Sequence, residues 1–485
     1  MPASMLPGYT DYLRFLPEIL LSLFGIAVML LEAAGNLKKS HLGVVALVGI
    51  VFAFLANMAA YSQPGPAFQN MLIIDGYGTF FRAVVLVVGF LCILTSLSYL
   101  DREGANTGEF HALILFSLVG QCIMVTAADL IMVFIGLEIS SIATYILAGF
   151  LRDDRRNNES ALKYFLLGSF ATGFLLYGVA WIYGINGSTN LQQIQQALEQ
   201  HQGPPIIAAL AAALIFVGLG FKVSVAPFQM WAPDVYQGAS APVSAFLSAG
   251  PKAAAFAILF RLFMTSFRPM NSRWVWLAWG CALATMCIGN LAALLQTNVK
   301  RMLGYSSIAH AGYVLVALTA SSSVGVAAAM FYLASYALMN IGAFSVVSYV
   351  AGRNEQHVRI EDLAGLGRRE PMTAALLSVF MFSLIGIPLT GGFFGKFYVF
   401  QAALNSHLVW LTVLGLINSA VASYYYLKVI VAIYMHEPGE AVAQLPPPAL
   451  SLRLAIWASA LGVLFLGIFP GALLSFASLS AAVFK

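Results

Sequence analysis

Several ionisable side chains stand within long apolar runs of this sequence, where a charge is energetically costly. Seven of them are cations, namely Arg82, Lys163, Lys222, Lys252, Arg261, Lys396 and Lys428. At the centre of a bilayer each would cost about 2.5–3.5 kcal/mol, so the group needs compensating partners or a function. Burial stabilises the neutral form of a lysine, and a nearby carboxylate restores its charged form. A series of such lysines joined by water therefore has the chemistry of a proton relay.

Depth within the apolar runs separates relay candidates from other cations. Lys222 follows the uninterrupted run 206–221, about 24 Å of helix, and stands five residues before Pro227. Glu138 lies eight residues after Leu130, about 12 Å into its run, and has no cation near it in sequence. Glu138 therefore needs a spatial partner. The alternative for Lys222 is a structural cation that satisfies carbonyls freed by a helix break.

Three further lysines are candidates on the same argument. Lys252 follows Pro251, and Lys396 stands eight residues beyond Pro388; both lie near the middle of their runs. Each is predicted to be either a relay site or a structural cation. Lys163 is shallower, so its alternative is a side chain that reaches the lipid headgroups.

The remaining ionisable residues divide into a possible relay group and anchors. His310, eight residues into its run, titrates in a range that suits a relay, but a hydrogen-bonded structural histidine fits equally. Arg82, Arg261 and Lys428 stand closer to the ends of their runs. We expect these three to be interfacial anchors.

The elements that position these residues are membrane helices. The 485 residues are 60% hydrophobic and only 9% charged, with a mean hydropathy of +0.85, which excludes a soluble fold. Runs long enough to cross a hydrocarbon core of roughly 30 Å recur along the chain, and the first is predicted to be an uncleaved span. Fourteen spans are predicted, at 13–33, 42–61, 77–99, 110–127, 130–150, 161–185, 205–237, 243–265, 275–296, 302–320, 325–350, 372–404, 408–435 and 454–480.

No motif for a redox cofactor or metal accompanies these spans. The four cysteines lie inside apolar runs without CxxC or Cys/His spacing, which predicts neither a metal site nor a disulfide framework. There is no GxGxxG after a strand and no phosphate-binding loop. We therefore expect no cofactor in this chain, and any redox chemistry would belong to partner proteins.

The distribution of the other cations between alternate connections predicts the orientation. Thirteen fall on one side and four on the other, and the positive-inside rule makes the richer side cytoplasmic. Both termini are therefore predicted to be periplasmic. The thirteen are Lys38, Lys39, Arg102, Arg152, Arg155, Arg156, Lys300, Arg301, Arg353, Arg359, Arg368, Arg369 and Arg453, and the four are Arg14, Arg268, Arg273 and Lys485.

Two predicted spans are too long and are interrupted. Span 205–237 contains Pro227 and Pro233, and span 372–404 contains Gly386 and Pro388. Broken helices in corresponding places indicate an inverted repeat with an ion path at the breaks. The sequence 140–143, Ser-Ser-Ile-Ala, recurs at 306–309, also five spans later.

We therefore predict an all-α polytopic membrane protein with about fourteen transmembrane helices and two inverted five-helix repeats, each containing a broken helix. The predicted segments are a three-helix segment at 1–105, a first repeat at 106–268, a second repeat at 269–440 and a last span at 441–485.

Three stretches resemble one protein family. They are Phe221 to Ala239 with the following 241–247 (FKVSVAPFQMWAPDVYQGA, then APVSAFL), Asn298 to His310 (NVKRMLGYSSIAH) and Gly391 to Tyr398 (GGFFGKFY). Together they resemble subunit N of bacterial proton-translocating NADH:quinone oxidoreductase, the respiratory complex I, over nearly the whole chain. The family is antiporter-like.

This resemblance implies roles for the residues that depth selects. Glu138 would pair with Lys222, while Lys252 and Lys396 would continue a hydrophilic axis. Lys163 matches a family lysine near the pair, and His310 joins the candidate relay. One position departs from the family, because Gln229 stands where a histidine is usual, and an amide cannot titrate.

The resemblance also implies partners and a location. NAD, FMN, iron–sulfur clusters and quinone would sit in partner subunits, with the antiporter-like subunit M and the small subunits K and J as neighbours in the bacterial inner membrane. Two alternatives stay open. In the first, the chain is a subunit of a multisubunit cation/proton antiporter. In the second, it is a membrane scaffold that does not pump protons.

Overall fold

The structure, a computed structural model, describes residues 7–35, 39–105, 107–201 and 203–484. Residues 1–6, Lys38 and Lys485, on which the predicted orientation partly depends, lie outside the described residues. The side chains of residues 39 and 40 are likewise left undescribed.

The described chain is almost entirely helical. One short antiparallel pair, β1 (Gly65–Ala67) and β2 (Leu72–Ile74), lies in the connection that precedes the fourth helix. The helices are α1 Tyr9–Arg14, α2 Leu16–Ala33, α3 Lys39–Tyr61, α4 Gly76–Glu103, α5 Gly108–Thr126, α6 Leu130–Ala148, α7 Arg155–Asn186, α8 Leu191–Glu199, α9 Pro205–Val223, α10 Trp231–Gly238, α11 Ala241–Met264, α12 Asn271–Leu294, α13 Val299–Thr319, α14 Ser323–Val350, α15 Leu366–Arg369, α16 Pro371–Ile385, α17 Gly391–Asn405, α18 Val409–Met435, α19 Glu440–Ala443, α20 Leu450–Ile468 and α21 Pro470–Ala481.

The prediction of an all-α polytopic membrane protein is confirmed. Within the described residues, thirteen helices are long and apolar enough to cross a membrane. The consecutive helices α16 and α17 occupy the place of the interrupted span predicted at 372–404. Together they account for the fourteen predicted spans.

Burial places the centre of the bundle. Every residue of α11 is buried, and α13 and α14 are nearly as enclosed. In contrast, α7 and α18 expose large apolar side chains such as Phe170 and Trp410, which a lipid or protein environment would cover. The relay candidates on α11 and α13 therefore lie in the most enclosed part of the molecule.

The connections meet at the two ends of the bundle. At one end an isolated bridge joins Asp129 to Asn190, and at the other a bridge joins Asn298 to Arg359. We call the second end the cation-rich face because of the cations in its connections, among them Arg152, Arg353, Arg359, Arg368 and Arg369. Which face is cytoplasmic stays a prediction.

Both predicted helix breaks are present. At the first, α9 ends at Val223, Ser224 adopts a left-handed conformation with φ 60°, and α10 begins at Trp231. At the second, α16 ends at Ile385 and Gly386 has φ +94°, a conformation that favours glycine.

One further expectation about the helices differs from the structure, and one connection is more ordered than its composition indicates. The span predicted at 454–480 is divided after Ile468, where Pro470 starts α21 and prevents α20 from continuing. The connection predicted at 186–204 contains a helix of its own, α8, which Asn190 caps through bonds from two backbone amides.

The expectation that Arg82 and Arg261 are interfacial anchors is wrong. Arg82 is fully buried and pairs with the equally buried Glu18 at 2.6 Å. Arg261 forms a two-pronged ion pair with Asp75, at 2.8 and 3.0 Å. Both arginines thus lie inside the bundle because a carboxylate from a distant part of the sequence compensates each charge. Lys428 is exposed, as an anchor would be.

Candidate functional site

Lys222 lies buried at the end of the first half of a broken helix. It is the penultimate residue of α9, and its Nζ donates to the hydroxyl of Tyr145 at 3.1 Å. The ammonium also lies over the rings of Tyr145 and Tyr164, 4.7 and 5.1 Å from their centroids. Aromatic faces stabilise a cation without fixing its proton. Lys222 is therefore held by groups that also tolerate a neutral amine.

Glu138, the predicted partner of Lys222, does not contact it directly. Its carboxylate accepts a hydrogen bond from Thr172 at 2.9 Å, and no ion pair within 4.0 Å joins the two described side chains. Tyr145 lies seven residues after Glu138, on the same face of α6. Glu138 and the Tyr145 that binds Lys222 thus share one face of α6, but Glu138 and Lys222 are not a bonded pair.

A small cavity adjoins the Lys222 ammonium. It has a volume of about 10 Å³, close to the space that one water molecule occupies. Its lining combines hydroxyl groups with apolar walls, from Met124, Leu137, Ser140, Ser141, Thr144, Tyr164, Lys222, Pro251 and Ala255. The cavity therefore lies between Lys222 and the part of α11 that surrounds Lys252, from Pro251 to Ala255.

Lys252, one residue beyond Pro251 in α11, binds a serine of α13. Its Nζ donates to the backbone oxygen of Ser307 at 2.9 Å and also contacts the Ser307 hydroxyl. Neither partner carries a charge. Lys252 is thus a buried amine whose described hydrogen bonds all go to neutral oxygens.

His310 lies one helical turn beyond Ser307 on α13. Its Nδ1 is 2.6 Å from the hydroxyl of Tyr332, and its Nε2 is 3.1 Å from the hydroxyl of Tyr426. The Tyr426 hydroxyl also contacts the Ser306 hydroxyl. A hydroxyl can donate or accept, so this chain of groups can pass a proton in either direction. We call Lys252, Ser306, Ser307, His310, Tyr332 and Tyr426 the central polar lane.

Lys396 binds the end of the preceding helix. Its Nζ donates to the backbone oxygens of Leu384 and Ile385, at 2.9 and 2.8 Å, and to the Ser419 hydroxyl at 2.8 Å. The ammonium also lies 5.0 Å from the ring centroid of Tyr313. Carbonyls at the end of a helix carry partial negative charge and lack intrahelical partners. Lys396 therefore acts as the structural cation of the alternative hypothesis, because it binds carbonyls freed by the helix break. A relay role must be compatible with these bonds.

Lys163 lies apart from the three buried lysines. Its side chain is 40% exposed, and its Nζ lies 2.7 Å from carboxylate oxygens of both Glu159 and Asp234. The Asp234 carboxylate also binds Arg301 at 2.6 Å. This cluster fastens α10 to α7 and α13 at the cation-rich face. It does not bring Lys163 to Lys222.

The unusual Gln229 lies in the connection between α9 and α10. Its Oε1 atom is buried and has no hydrogen-bond partner within the described chain. An amide there cannot exchange a proton with the lysines.

Sequence reasoning missed the hydroxyl groups that bind the lysines. Tyr145, Ser307 and Tyr426 are common residue types in apolar helices, so composition gives no signal for them. Spacing gives one for Tyr145, which is two turns after Glu138. Ser307 also belongs to the repeated Ser-Ser-Ile-Ala sequence, which we used only as a mark of the repeat.

A metal site is not apparent in the part of the chain that the structure describes. No group of three or more His, Cys, Asp or Glu side chains there is arranged to hold a metal ion. The cysteines are free, with Cys92, Cys122 and Cys281 buried. The chemistry that the described residues support is the movement of protons among amines, hydroxyls and one imidazole.

Comparisons with known proteins agree on a family. Residues 127–422 match the family "NADH:quinone oxidoreductase/Mrp antiporter, TM". The chain is 60% identical over 486 residues to "NADH-quinone oxidoreductase subunit N 1" of Solibacter usitatus, covering 100% of both chains. It matches a chain of respiratory complex I from Thermus thermophilus with a TM-score of 0.82, 34% identity, and coverage of 95% of this chain and 99% of that one. A chain of the Mrp complex from Dietzia, 21% identical, shares the fold with a TM-score of 0.84 over 97% of each chain.

Proposed function

The chain belongs to the family of subunit N of NADH-quinone oxidoreductase, and on that premise we propose that it carries protons across the membrane through its buried lysines. Quinone reduction in partner subunits drives the transfer. The supporting observation is that Lys222, Lys252 and Lys396 are all buried and that none forms an ion pair within 4.0 Å among the described residues. An unpaired buried amine exchanges its proton more readily than one fixed by a carboxylate.

The proposed relay has three stations. Glu138 and Thr172 control the charge of Lys222 at the first break. The small cavity beside Lys222 leads toward Lys252, whose partner Ser307 belongs to the central polar lane with His310. Lys396 forms the third station, beyond the lane. Lys163 stands outside this path, and its task in the proposal is to hold α10 in place through Asp234.

In this proposal the redox cofactors belong to other subunits of the assembly. We infer that NAD, FMN, iron–sulfur clusters and quinone bind to partner subunits, and that subunits M, K and J are its neighbours in the bacterial inner membrane. Both termini are periplasmic in this proposal. We also propose that residues 106–268 and 269–440 are inverted repeats, each with one broken helix.

The decisive experiment neutralises Lys222 in the intact complex. In Lys222→Ala, we expect proton pumping to fall by about 10² or more, as loss of a positioned proton-transfer group does. Quinone reduction that is coupled to pumping should fall with it. Pumping is measured in vesicles by a pH-sensitive dye, and assembly is checked on native gels.

Lys428→Ala is the matched control, because it removes an exposed lysine and should leave both activities near wild type. Wild-type pumping by an assembled Lys222→Ala complex would instead support the alternative that this chain is a scaffold and that other subunits pump. Sodium-dependent transport without quinone reduction would support the antiporter alternative.

A further inference from the structure

A large cavity opens at the cation-rich face, away from the three buried lysines. It has a volume of about 940 Å³ and lies among the ends of α4 and α6, the starts of α5 and α7, and the turn 353–355. We call it the vestibule. Its lining includes negatively charged carboxylates and positively charged guanidinium groups, among them Glu103, Glu109, Asp153, Asp154, Arg155 and Arg156.

The walls of the vestibule suit water. Thr107 Oγ1 and Asn157 Oδ1 are buried and have no hydrogen-bond partner within the described chain, and both residues line the cavity. Buried polar atoms generally bind protein groups or ordered water. At the rim, burial alone would raise the pKa of Asp154, but hydrogen bonds from Arg156 outweigh it and hold that pKa below its usual range. The rim therefore stays charged near neutral pH.

The floor of the vestibule contains Glu355, held in an unusual backbone conformation. Glu355 has φ 46°, a left-handed value that is uncommon for residues other than glycine and asparagine. Its neighbour Asn354 is pinned on both sides, by Glu103 and by Arg156, each through a bond of 2.9 Å. Such strain persists where the surroundings enforce it, often at functional positions. Here it directs a carboxylate that is 10% exposed to the base of the cavity.

Behind Glu355 lies a fully buried lysine. The Lys300 Nζ lies 2.5 Å from Glu355 Oε2 and donates to the backbone oxygen of Ala239. The other carboxylate oxygen accepts from the Ala241 amide at 2.6 Å. This pair therefore contacts the connection between α10 and α11, on the inner side of the vestibule floor.

The helix that carries Lys300 also carries the partner of Lys252. Ser307 lies seven residues beyond Lys300 on α13, about 10 Å away and on the same face. Between them is Gly304, against the ring of Tyr236. The vestibule, Glu355, Lys300 and the central polar lane thus follow one line along α13.

We propose that the vestibule and the Glu355–Lys300 pair form the proton inlet from the cation-rich face to Lys252, an inference that rests on the proposed function. A hydronium ion in the vestibule gives its proton to the Glu355 carboxylate and becomes water. The resulting carboxyl group then releases the proton through water along α13 to the neutral amine of Lys252. Glu355 returns to its anionic form and Lys252 becomes an ammonium. Lys300 stays charged throughout, and its charge stabilises the Glu355 carboxylate after each transfer.

The first test replaces the carboxylate. In Glu355→Gln, we expect proton pumping per assembled complex to fall by about tenfold or more, because an amide takes up no proton. Glu361→Gln changes an exposed carboxylate of the same face and should pump as wild type. Wild-type pumping by Glu355→Gln would overturn the inlet. If Lys222→Ala in the same vesicles also pumps as wild type, the proposed function itself fails.

The second test blocks the vestibule without changing Glu355. Ala105 lines the cavity, so Ala105→Cys places a thiol in it, and a membrane-impermeant cationic methanethiosulfonate is added to inside-out vesicles. We expect the reagent to reduce pumping about tenfold or more relative to the same variant before treatment.

Gln444→Cys, exposed on the same face, should be labelled without loss of pumping, and wild type treated with the same reagent measures any reaction of the native cysteines. Complete labelling of Ala105→Cys, verified by mass, with unchanged pumping would exclude the vestibule as the inlet. This outcome counts even if Glu355→Gln disturbs assembly.

Discussion

The two broken helices each contain a lysine, but the lysines lie on opposite sides of their breaks. Lys222 is in the half before the first break, and the freed carbonyl of Phe221 is satisfied by the indole of Trp231, at 2.8 Å. Lys396 is in the half after the second break. Its own ammonium satisfies the freed carbonyls of Leu384 and Ile385.

This difference distinguishes two tasks of a buried lysine at a helix break, which are satisfying the freed carbonyls and exchanging a proton. The sequence alone does not tell them apart. At the first break a tryptophan stabilises the backbone, so Lys222 is free of that task and binds a hydroxyl and aromatic faces. At the second break a single lysine serves both the backbone and any relay. Lys222 is thus suited to frequent exchange of its proton. Loss of the proton from Lys396 would leave an amine that still donates to at most two acceptors.

The largest effect should come from narrowing the second break. A Cβ atom at Gly392 would lie 1.9 Å from the backbone oxygen of Ser383, so the backbone must shift. We expect Gly392→Ala to destabilise the chain by about 3 kcal/mol or more and to reduce the amount of assembled complex. At the first break, a Cβ at Gly220 would meet side-chain rings and no backbone atom, with Phe228 at 3.1 Å and Phe216 at 3.9 Å.

Gly220→Ala is therefore the matched control and should assemble normally. Quantitative native gels and thermal unfolding of the purified complexes measure both variants. Equal stability of the two would mean that the breaks are packed alike.

The next effect concerns the double task of Lys396. Lys396→Arg keeps a charge that can donate to carbonyls but does not release a proton at accessible pH. It should assemble normally yet lose most proton transfer. Lys396→Ala should also lose some assembly, because each carbonyl left without its charged donor costs about 1–3 kcal/mol.

Pumping per assembled complex in vesicles measures these variants, with Lys428→Arg as an exposed control that should be nearly silent. Wild-type pumping by Lys396→Arg would remove Lys396 from the relay and leave it a structural cation.

A smaller effect is expected from the carboxylate that distinguishes the first break. Glu138→Gln should lower pumping more than assembly, since a neutral amide no longer acts on Lys222 through charge. Glu138→Asp keeps the charge at a slightly greater distance and should be milder. Equal pumping by Glu138→Gln and wild type in an intact complex would show that the two side chains, which lie more than 4.0 Å apart, are not coupled.

The smallest effect tests the tryptophan. Trp231→Phe removes the indole donor to Phe221 and should cost about 1 kcal/mol of stability. Trp274→Phe removes the same kind of bond, from Trp274 to the Phe267 oxygen at 2.9 Å, at a site remote from both breaks. We expect similar thermal destabilisation in both variants but a decline in pumping only in Trp231→Phe. A decline of pumping in both variants would show that the loss comes from general destabilisation and not from the first break.

The sequence predicts the helices well because lipid imposes length and apolarity on every span. It also predicts both breaks, since Pro227 and Gly386 cannot continue a helix without cost. The depth argument likewise selects Lys222, Lys252 and Lys396, and all three are buried. Each of these results depends on properties of a single segment.

Ion pairs between distant segments could not be predicted from the sequence. Arg261 is compensated by Asp75, 186 residues away, and Lys300 by Glu355, 55 residues away. Neither separation has a pattern that periodicity detects, because the contact is created by packing. For the same reason Lys163, which fits the candidate relay by its position in the chain, is fastened to Asp234 instead.

The complete enclosure of α11 has a consequence for how the protein is made. This helix carries two cations, and the ribosome delivers their partners at different times. Asp75 precedes Arg261, so it is already in the membrane when α11 emerges and the charges neutralise each other at once. Ser307 follows Lys252 by 55 residues, so this partner is not yet synthesised when Lys252 reaches the membrane. Insertion of α11 therefore costs less free energy with Lys252 uncharged than with Lys252 charged.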